Sequence, residues 1–184
     1  EKDFDPAIVN RAGLYLLGYL DRSTDIANPQ NVNEKARMLY AIAAAGDPTL
    51  VAPSLQALFE QQRAALNVQA KAWTVLGLME IGKDRSDPAI QALLGDITAG
   101  VIPSANGNHW EITAIPGNYS DAYSAGTNET TAAVVAALAS VDANHPLIEE
   151  SVRWVMSARR SQGWTGGAGG ARRPSHIHLN SLRG

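Results

Sequence analysis

The amino-acid sequence predicts an all-α fold of repeated helical hairpins, interrupted by one long irregular insert. Apolar residues recur at helical spacing in nearly every segment before Trp164. Two of these segments, which begin at Asn31 and Asn67, align without gaps at an offset of 36 residues. A second type of helix start, an aspartate followed by proline, recurs at intervals of 42 and 40 residues. Hairpins that repeat at this period are typical of helical solenoids and of closed rings of hairpins.

The first kind of helix is rich in alanine and carries one apolar stripe. The segments from Asn31 and Asn67 share Asn, Val, Lys, Ala and a terminal Gly in the same register. Apolar residues at positions i, i+3, i+4 and i+7 form the stripe in both segments. They are Ala36, Leu39, Tyr40 and Ala43 in the first and Ala72, Val75, Leu76 and Met79 in the second. Gly46 and Gly82 follow at positions suited to a left-handed glycine that ends a helix.

The second kind of helix begins with an aspartate followed by proline. The pairs are Asp5-Pro6, Asp47-Pro48 and Asp87-Pro88. Aspartate accepts hydrogen bonds from the first free backbone N–H groups, and proline in the first turn loses none. We expect His145-Pro146 to start a fourth member. The apolar stripes of this kind are Ile8, Ala12, Tyr15 and Tyr19; Val51, Leu55 and Leu58; and Ile148, Val152 and Val155. Because the two kinds alternate, the sequence predicts an enclosed inner set and an outer set of helices.

A stretch at about residues 100–126 breaks the helical pattern. It is rich in glycine, proline and asparagine and contains single aromatic residues, which is typical of a long loop. We expect a short extended piece around residues 110–115. The next helix is apolar almost all round from Ala132 to Val141, and such a helix is usually packed between other elements.

The composition excludes several classes of function. The formal net charge is −3 and the pI is near 5.8, so the chain has no broad positive field for nucleic acid. No apolar run reaches the roughly 20 residues that cross a bilayer, and the first residues lack the basic and apolar regions of a signal peptide. The lack of cysteine excludes disulfides, thiolate metal sites and an internal thioester within these residues.

Short motifs follow one another between residues 109 and 164. They are His109-Trp110-Glu111, Thr130-Thr131-Ala132, Ala137-Leu138, Pro146-Leu147-Ile148, Arg153-Trp154-Val155-Met156, Arg159-Arg160 and Gly163-Trp164. In type and order they resemble the thioester domain of bacterial α2-macroglobulins. The specific match covers about a third of the chain, and the alternating hairpins before it fit the same domain more loosely.

The resemblance implies an α/α-toroid, a ring of helical hairpins, of which this chain would be an incomplete part. Residues 1–165 would form a partial domain of the thioester type. In the family, the Gly-Trp motif is followed by Thr-Gln-Glu-Thr and a further inner helix, whereas here Thr165 precedes a run of glycine and alanine. We therefore interpret residues 166–184, rich in glycine and arginine, as a disordered tail or a frameshift product. The thioester cysteine and glutamine of the family would lie before Glu1.

The resemblance also implies a function. The family consists of large periplasmic, extracellular or envelope-associated proteins that trap a protease after it cuts a bait region. This chain would contribute scaffold without the thioester motif, would not be an enzyme, and would need no cofactor. Its partners would be the other domains of a larger chain and, through them, the target proteases. The motif residues expected to be structural are His109, Trp110, Glu111, Thr130, Thr131, Pro146, Arg153, Trp154, Gly163 and Trp164.

Two other functions are compatible with the helical pattern. One is a freestanding helical-repeat module that binds a protein partner. The other is a toroid enzyme, because the segment from Gln162 to Trp164 is similar to repeats of terpene cyclases. That class needs an aspartate-rich acid motif, which this sequence lacks, and protein prenyltransferases on the same fold need a zinc site that includes cysteine.

Two groups of side chains are candidates for chemistry. His109 and Glu111 would share one face of an extended segment, as an acid/base pair requires. No motif places a nucleophile beside them, so we interpret Trp110 as docked on the helices and His109 as a partner of loop backbone. His176 and His178 would lie on one side of a strand, but two ligands without a third make a weak metal site. We therefore predict neither a catalytic nor a metal site.

Overall fold

The computed structural model describes residues 5–22, 29–112, 126–160 and 163–164. Within these ranges the chain is mostly helical, which confirms the all-α prediction. The helices are α1 (Pro6–Arg22), α2 (Pro29–Ala45), α3 (Ala52–Gln62), α4 (Val68–Glu80), α5 (Pro88–Ala99), α6 (Thr127–Val141) and α7 (Ile148–Ser157). Four short strands form two antiparallel pairs, β1 (Ile102–Ser104) with β2 (Gly107–His109) and β3 (Arg159–Arg160) with β4 (Gly163–Trp164). Single 3₁₀ turns, Pro48–Leu50 and Arg63–Ala65, flank α3.

The helices form two layers that alternate along the chain. In the inner layer α4 packs between α2 and α6. In the outer layer α1 and α3 contact α2, α5 contacts α4, and α7 contacts α6. The two kinds of helix predicted from the sequence therefore occupy two different layers. None of the helices in the described part of the chain has the length and apolar character needed to span a membrane.

The core lies between the layers and is centred on α4. This helix buries small and apolar residues on most of its circumference, as an enclosed helix must. A Cβ atom at Gly77 would lie 3.0 Å from Leu55 Cδ2, so α3 and α4 pack with almost no space between them at this point. The largest buried side chains of the other helices are Leu39, Leu55, Leu58, Ile90, Leu93, Ile97, Val134 and Leu138.

The starts of the outer helices confirm the predicted capping. In Asp5, Asp47 and Asp87 the Oδ1 atom accepts a hydrogen bond from the N–H two residues later, at 2.8–2.9 Å. His145 makes a similar contact, because its Nδ1 accepts a hydrogen bond from the Leu147 N–H at 3.3 Å, but α7 begins only at Ile148 and its N-cap residue, Leu147, makes no side-chain capping bond. The pair Asp47-Pro48 differs from the other two aspartate–proline pairs, because it starts a 3₁₀ turn and α3 begins only at Ala52.

The ends of the inner helices differ from each other, although both carry glycine. Gly82 has φ +80°, and the following N–H donates to the Leu78 carbonyl at 3.1 Å, which confirms a left-handed end. The same prediction for Gly46 is wrong, because its φ is not positive. A Cβ at Gly46 would lie 3.1 Å from Asn10 Oδ1, so this glycine permits the close passage of α1 over the end of α2.

Only some of the predicted apolar stripes are buried. The stripe of α3, with Val51, Leu55 and Leu58, lies in the core. The stripe of α1 faces solvent instead, with Tyr15 70% exposed. Helix α1 contacts α2 through a different side, where a Cβ at Gly13 would lie 3.2 Å from Ile42 Cγ2.

Helix α6 lies between α4 and α7, as its apolar sequence predicts. One side remains open, because the small residues Ala132, Ala136 and Ala139 are exposed. Ala132, Ala136 and Ala139 lie on one face of the helix, at positions i, i+4 and i+7.

The insert contains a β-hairpin rather than the extended piece expected around residues 110–115. Strands β1 and β2 pair from Ile102 with His109 to Ser104 with Gly107, and residues 110–112 lie in no strand. The Ser104 hydroxyl donates to the Gly107 carbonyl at 2.7 Å, which closes the tight turn before residue 110. The rest of the expected piece falls in residues 113–125, outside the described residues, and so does the tail at 166–184.

A cluster of three charges joins the helices on one side of the fold. Arg63 donates to both carboxylate oxygens of Asp96, at 2.9 and 2.7 Å, and Lys71 Nζ lies 3.0 Å from Asp96 Oδ2. Arg63 also donates to the Ala92 carbonyl at 3.0 Å. The hydrogen bond from Arg63 holds the pKa of the Asp96 carboxyl below its usual value, with support from Lys71 and against partial burial. The cluster thus connects the end of α3 with α4 and α5.

Replacement of Asp96 by asparagine tests this charge cluster. The Asp96 pKa is lower in the folded chain than in the unfolded chain, so the carboxylate stabilises the fold above the ordinary aspartate pKa and loses this effect as pH falls through the folded value. We expect Asp96→Asn to lower the free energy of unfolding at pH 7 by about 1 kcal/mol. The difference from the wild type should shrink below about pH 4. Urea denaturation at several pH values measures this difference in the free energy of unfolding. The control is Glu80→Gln, which removes an exposed carboxylate of α4. A difference that is independent of pH would contradict the assignment.

Candidate functional site

Six of the motif residues lie where the insert meets the helices. We call this group the insert-docking cluster: His109, Trp110, Glu111, Thr130, Thr131 and Trp154. The residues come from three separate parts of the sequence, namely the end of β2, the first turns of α6, and the middle of α7. The cluster therefore holds the insert against the last hairpin of the described chain.

Trp110 is the central side chain of the cluster. It is fully buried, and its indole Nε1 donates to the Ile97 carbonyl near the end of α5 at 2.7 Å. Its backbone N–H donates to the Thr131 hydroxyl in α6 at 3.2 Å. A buried tryptophan adds a large apolar surface to the core, and its one polar group has a partner here. Trp110 thus joins α5, the insert and α6, as the sequence predicts for a docked tryptophan.

His109 attaches the insert to α7. Its imidazole ring stacks on the Trp154 ring, with the centroids 4.6 Å apart and an angle of 8° between the planes. Its Nε2 lies 3.3 Å from Glu111 Oε1, so the two side chains do share one face as predicted. The predicted hydrogen bond from His109 to loop backbone is not found, because Nδ1 is buried with no partner in the described part of the structure.

Gly107 allows strand β2 to approach the α7 backbone. Its φ is +123°, a conformation that L side chains rarely adopt. A Cβ atom at this position would lie 2.1 Å from the Glu150 carbonyl oxygen and 3.2 Å from Trp154 Cβ. Sequence reasoning missed Gly107, although the preceding asparagine followed by glycine is a known hairpin signal.

The geometry favours a docking role for the cluster over an acid/base role. His109 is only 9% exposed, and one face of its ring is covered by Trp154. A general base must reach a substrate proton, which needs an accessible ring nitrogen. The two threonine hydroxyls of the cluster are also occupied or enclosed: Thr131 is bonded to Trp110, and Thr130 is buried with no hydrogen-bond partner in the described residues.

The other four motif residues lie apart from the cluster. Pro146 is exposed in the turn before α7. Arg153 is exposed on α7 and pairs with Glu150 one turn before it. The backbone of Gly163 and Trp164 forms β4, which pairs with β3. These four therefore belong to the turn, the surface and the end of the last hairpin.

The described residues offer no further obvious ligand site. Among them, no three side chains of His, Cys, Asp or Glu come together as a metal site requires. His176 and His178 lie outside the described residues. An open depression of about 520 Å³ adjoins the charge cluster of Arg63, Lys71 and Asp96. Both cations there bind Asp96, and Glu60 also lines the depression. No motif links Arg63, Lys71 and Asp96, which is why sequence reasoning missed them.

Comparison of the chain with protein-family models, with curated proteins and with solved structures found no match. The assignment to a family is therefore a proposal that depends on the motif residues and on the contacts between them.

Substitution of Gly107 tests the contact between β2 and α7. We expect Gly107→Ala to lower the free energy of unfolding by about 3 kcal/mol, because the new methyl group meets backbone and φ is positive. Gly95→Ala is the matched control, since nothing lies within 4 Å of its Cβ position in α5. The control should stabilise by about 0.5–1 kcal/mol. Chemical denaturation measures both, and equal effects would contradict the close contact.

Two neighbouring threonines give a second test of the cluster. Thr131→Val removes the acceptor of the buried Trp110 N–H, and we expect a loss of about 1–3 kcal/mol in the free energy of unfolding. Thr130→Val removes a buried hydroxyl that has no partner within the described chain, so stability should stay equal or rise. Both residues are fully buried, which makes the pair well matched. Denaturation curves that rank the two variants in the opposite order would refute the assigned hydrogen bond.

Proposed function

We propose that this chain is a scaffold part of the thioester-type domain, an α/α-toroid, of a bacterial α2-macroglobulin-like protease inhibitor. One observation carries the proposal: three of the seven motifs on which the resemblance depends have residues that meet in space. His109, Thr131 and Trp154 are far apart in the sequence, yet all three belong to the insert-docking cluster. Contacts between motifs that are distant in the sequence support the interpretation that these motifs belong to one structural unit.

The alternation of helices also supports the proposal. Inner helices α2, α4 and α6 lie side by side, and outer helices cover them, as in a toroid. The same alternation occurs in open helical solenoids, so the contacts between helices favour both architectures. The motifs between residues 109 and 164 favour the toroid.

The proposed role is mechanical and not chemical. An internal thioester needs a cysteine, and the chain has none. The residues present would hold the insert and the last hairpin together, so that a larger protein can present this domain when its bait region is cut. On this proposal the partners are the other domains of the larger chain and the trapped proteases. The location is the periplasm, the cell envelope or the extracellular space.

A freestanding helical-repeat module that binds another protein is the second candidate. The exposed apolar stripe of α1 favours it, because large exposed apolar surfaces often mark interaction sites. A toroid enzyme of the terpene cyclase type is less favoured, since its acidic residues would gather in a central cavity. The described residues contain no group of three such side chains.

The first test is to sequence the coding region on both sides of this chain. The proposal expects an upstream Cys-x-x-Gln segment or a related macroglobulin domain, and a downstream Thr-Gln-Glu-Thr in the same or a shifted frame. A native start near Glu1 and a stop after Gly184, with no macroglobulin domain nearby, would instead favour the binding module.

A protease-trapping assay on the full-length product then tests the function itself. Incubation with an active protease should suppress cleavage of a large protein substrate while cleavage of a small peptide substrate continues. A protease with a blocked active site is the control, because it cannot cut the bait region. Equal loss or equal retention of both activities would refute the trap.

A further inference from the structure

The turn of the β1–β2 hairpin contains an asparagine that is followed by a glycine. Asn106 is the second residue of the turn, and Gly107 is the first residue of β2. Asn106-Gly107 is also the only Asn-Gly pair in the whole sequence. Asparagine is among the thermolabile residues of proteins. Its side-chain amide is most open to attack by the next backbone nitrogen when that residue is glycine, because glycine has no Cβ.

The reaction of such a pair is an attack of the chain on its own side chain. The backbone nitrogen of Gly107 loses its proton and bonds to Cγ of Asn106, and the side-chain nitrogen leaves as ammonia. The cyclic succinimide that forms then takes up water at one of its two carbonyl groups. Cleavage of the new bond to Cγ gives aspartate. Cleavage of the original peptide bond gives isoaspartate, in which the main chain continues through Cβ and Cγ, and water is the only other reactant.

The structure leaves Asn106 open to this reaction. Ala105 and Asn106 form the turn and are both exposed, and the Asn106 side chain makes no hydrogen bond with any described residue. Gly107 pairs with Ser104, which is the last pair of the ladder. Its nitrogen therefore becomes available when the hairpin frays at its free end, and the core does not have to open.

The isoaspartate product does not fit the docked position of β2. It adds a carbon atom to the backbone between residue 106 and Gly107, and the length of a hairpin loop determines the geometry of its turn. Gly107 cannot move toward α7, since even a Cβ there would overlap the Glu150 carbonyl oxygen. Trp110 is fixed in the core at the other end of the strand. The longer turn therefore breaks the pair of Ser104 with Gly107 and moves β2 away from α7.

We propose that Asn106 is a site of spontaneous deamidation, and that its isoaspartate product weakens the attachment of β2 to α7. The modification acts on the insert-docking cluster without a change in any side chain of that cluster. His109 lies two residues after Gly107 on the same strand, so its stacking on Trp154 is the contact that the modification weakens. The inference does not depend on the proposed function, since it uses only the hairpin and its contact with α7.

Incubation of the full chain in mildly alkaline buffer tests the site. Cleavage after Glu80 and Glu111 gives a peptide whose only asparagines are Asn106 and Asn108. Mass spectrometry with electron-transfer fragmentation should find aspartate and isoaspartate at position 106. Asn108 is followed by histidine and is the internal control, which should keep its amide. An Asn106 that reacts no faster than Asn108 would overturn the proposal.

NMR spectroscopy of the same samples tests the effect on the cluster. The ring of Trp154 shifts the signals of the stacked His109 imidazole protons. As isoaspartate accumulates, a second set of His109 signals without this shift should grow in the same proportion. Asn106→Ser has no side-chain amide at this exposed position, so its His109 signals should not change during the incubation.

Asn106→Asp separates the longer backbone from the new charge. The freshly prepared variant carries the charge of both products on a backbone of normal length, so its His109 signals should match those of fresh wild type. Signals like those of the incubated wild type would assign the effect to charge and overturn the proposed mechanism. Isoaspartate that accumulates at position 106 with unchanged His109 signals would overturn the effect on β2.

Discussion

The packing of α4 between α2 and α6 is the constraint on which the rest of the structure depends. Ala70, Ala72 and Gly77 are buried in α4, and small residues let neighbouring helices approach closely. At Gly77 the Leu55 side chain of α3 lies directly against the backbone of α4. Because α4 contacts helices of both layers, an enlargement at one of its buried positions would have to move a neighbouring helix. The side chain of Lys71 also projects from α4, so the charge cluster keeps its geometry only while this helix stays in place.

The sequence could predict the helices and their starts, because both depend on local chemistry. Apolar spacing and the aspartate before proline act within one turn of the chain, without help from distant residues. Gly46 and Gly82 carry the same local signal, yet only Gly82 adopts a positive φ, while Gly46 lies close to Asn10 on another helix. Periodicity also identifies the stripe of α1 but not the side on which α2 packs. Tertiary contacts determine how a helix ends and which face it buries, and short sequence motifs do not contain that information.

Six of the ten motif residues identified in the sequence belong to the insert-docking cluster, and neither this grouping nor its geometry could be predicted from the sequence. Trp110 was expected to dock because a large aromatic residue in a polar loop needs a place to bury its surface. Its partners, the Ile97 carbonyl and the Thr131 hydroxyl, come from elements on both sides of the insert. The pairing of His109 with Trp154 likewise joins segments that no spacing rule connects. The motifs therefore indicate candidate residues, and only the fold shows which of them are in contact.

The attachment of β2 to α7 has a consequence for how the molecule opens. Helix α7 has ten residues and buries only Ser151 completely, and a helix of that length is marginal by itself. Its order therefore depends on the insert and on α6, which it contacts along its length. We therefore expect the hairpin β1–β2 and α7 to open as one unit, so that their amide protons exchange with solvent at similar rates. A substitution in the hairpin is thus expected to increase exchange in α7 before it increases exchange in the inner helices.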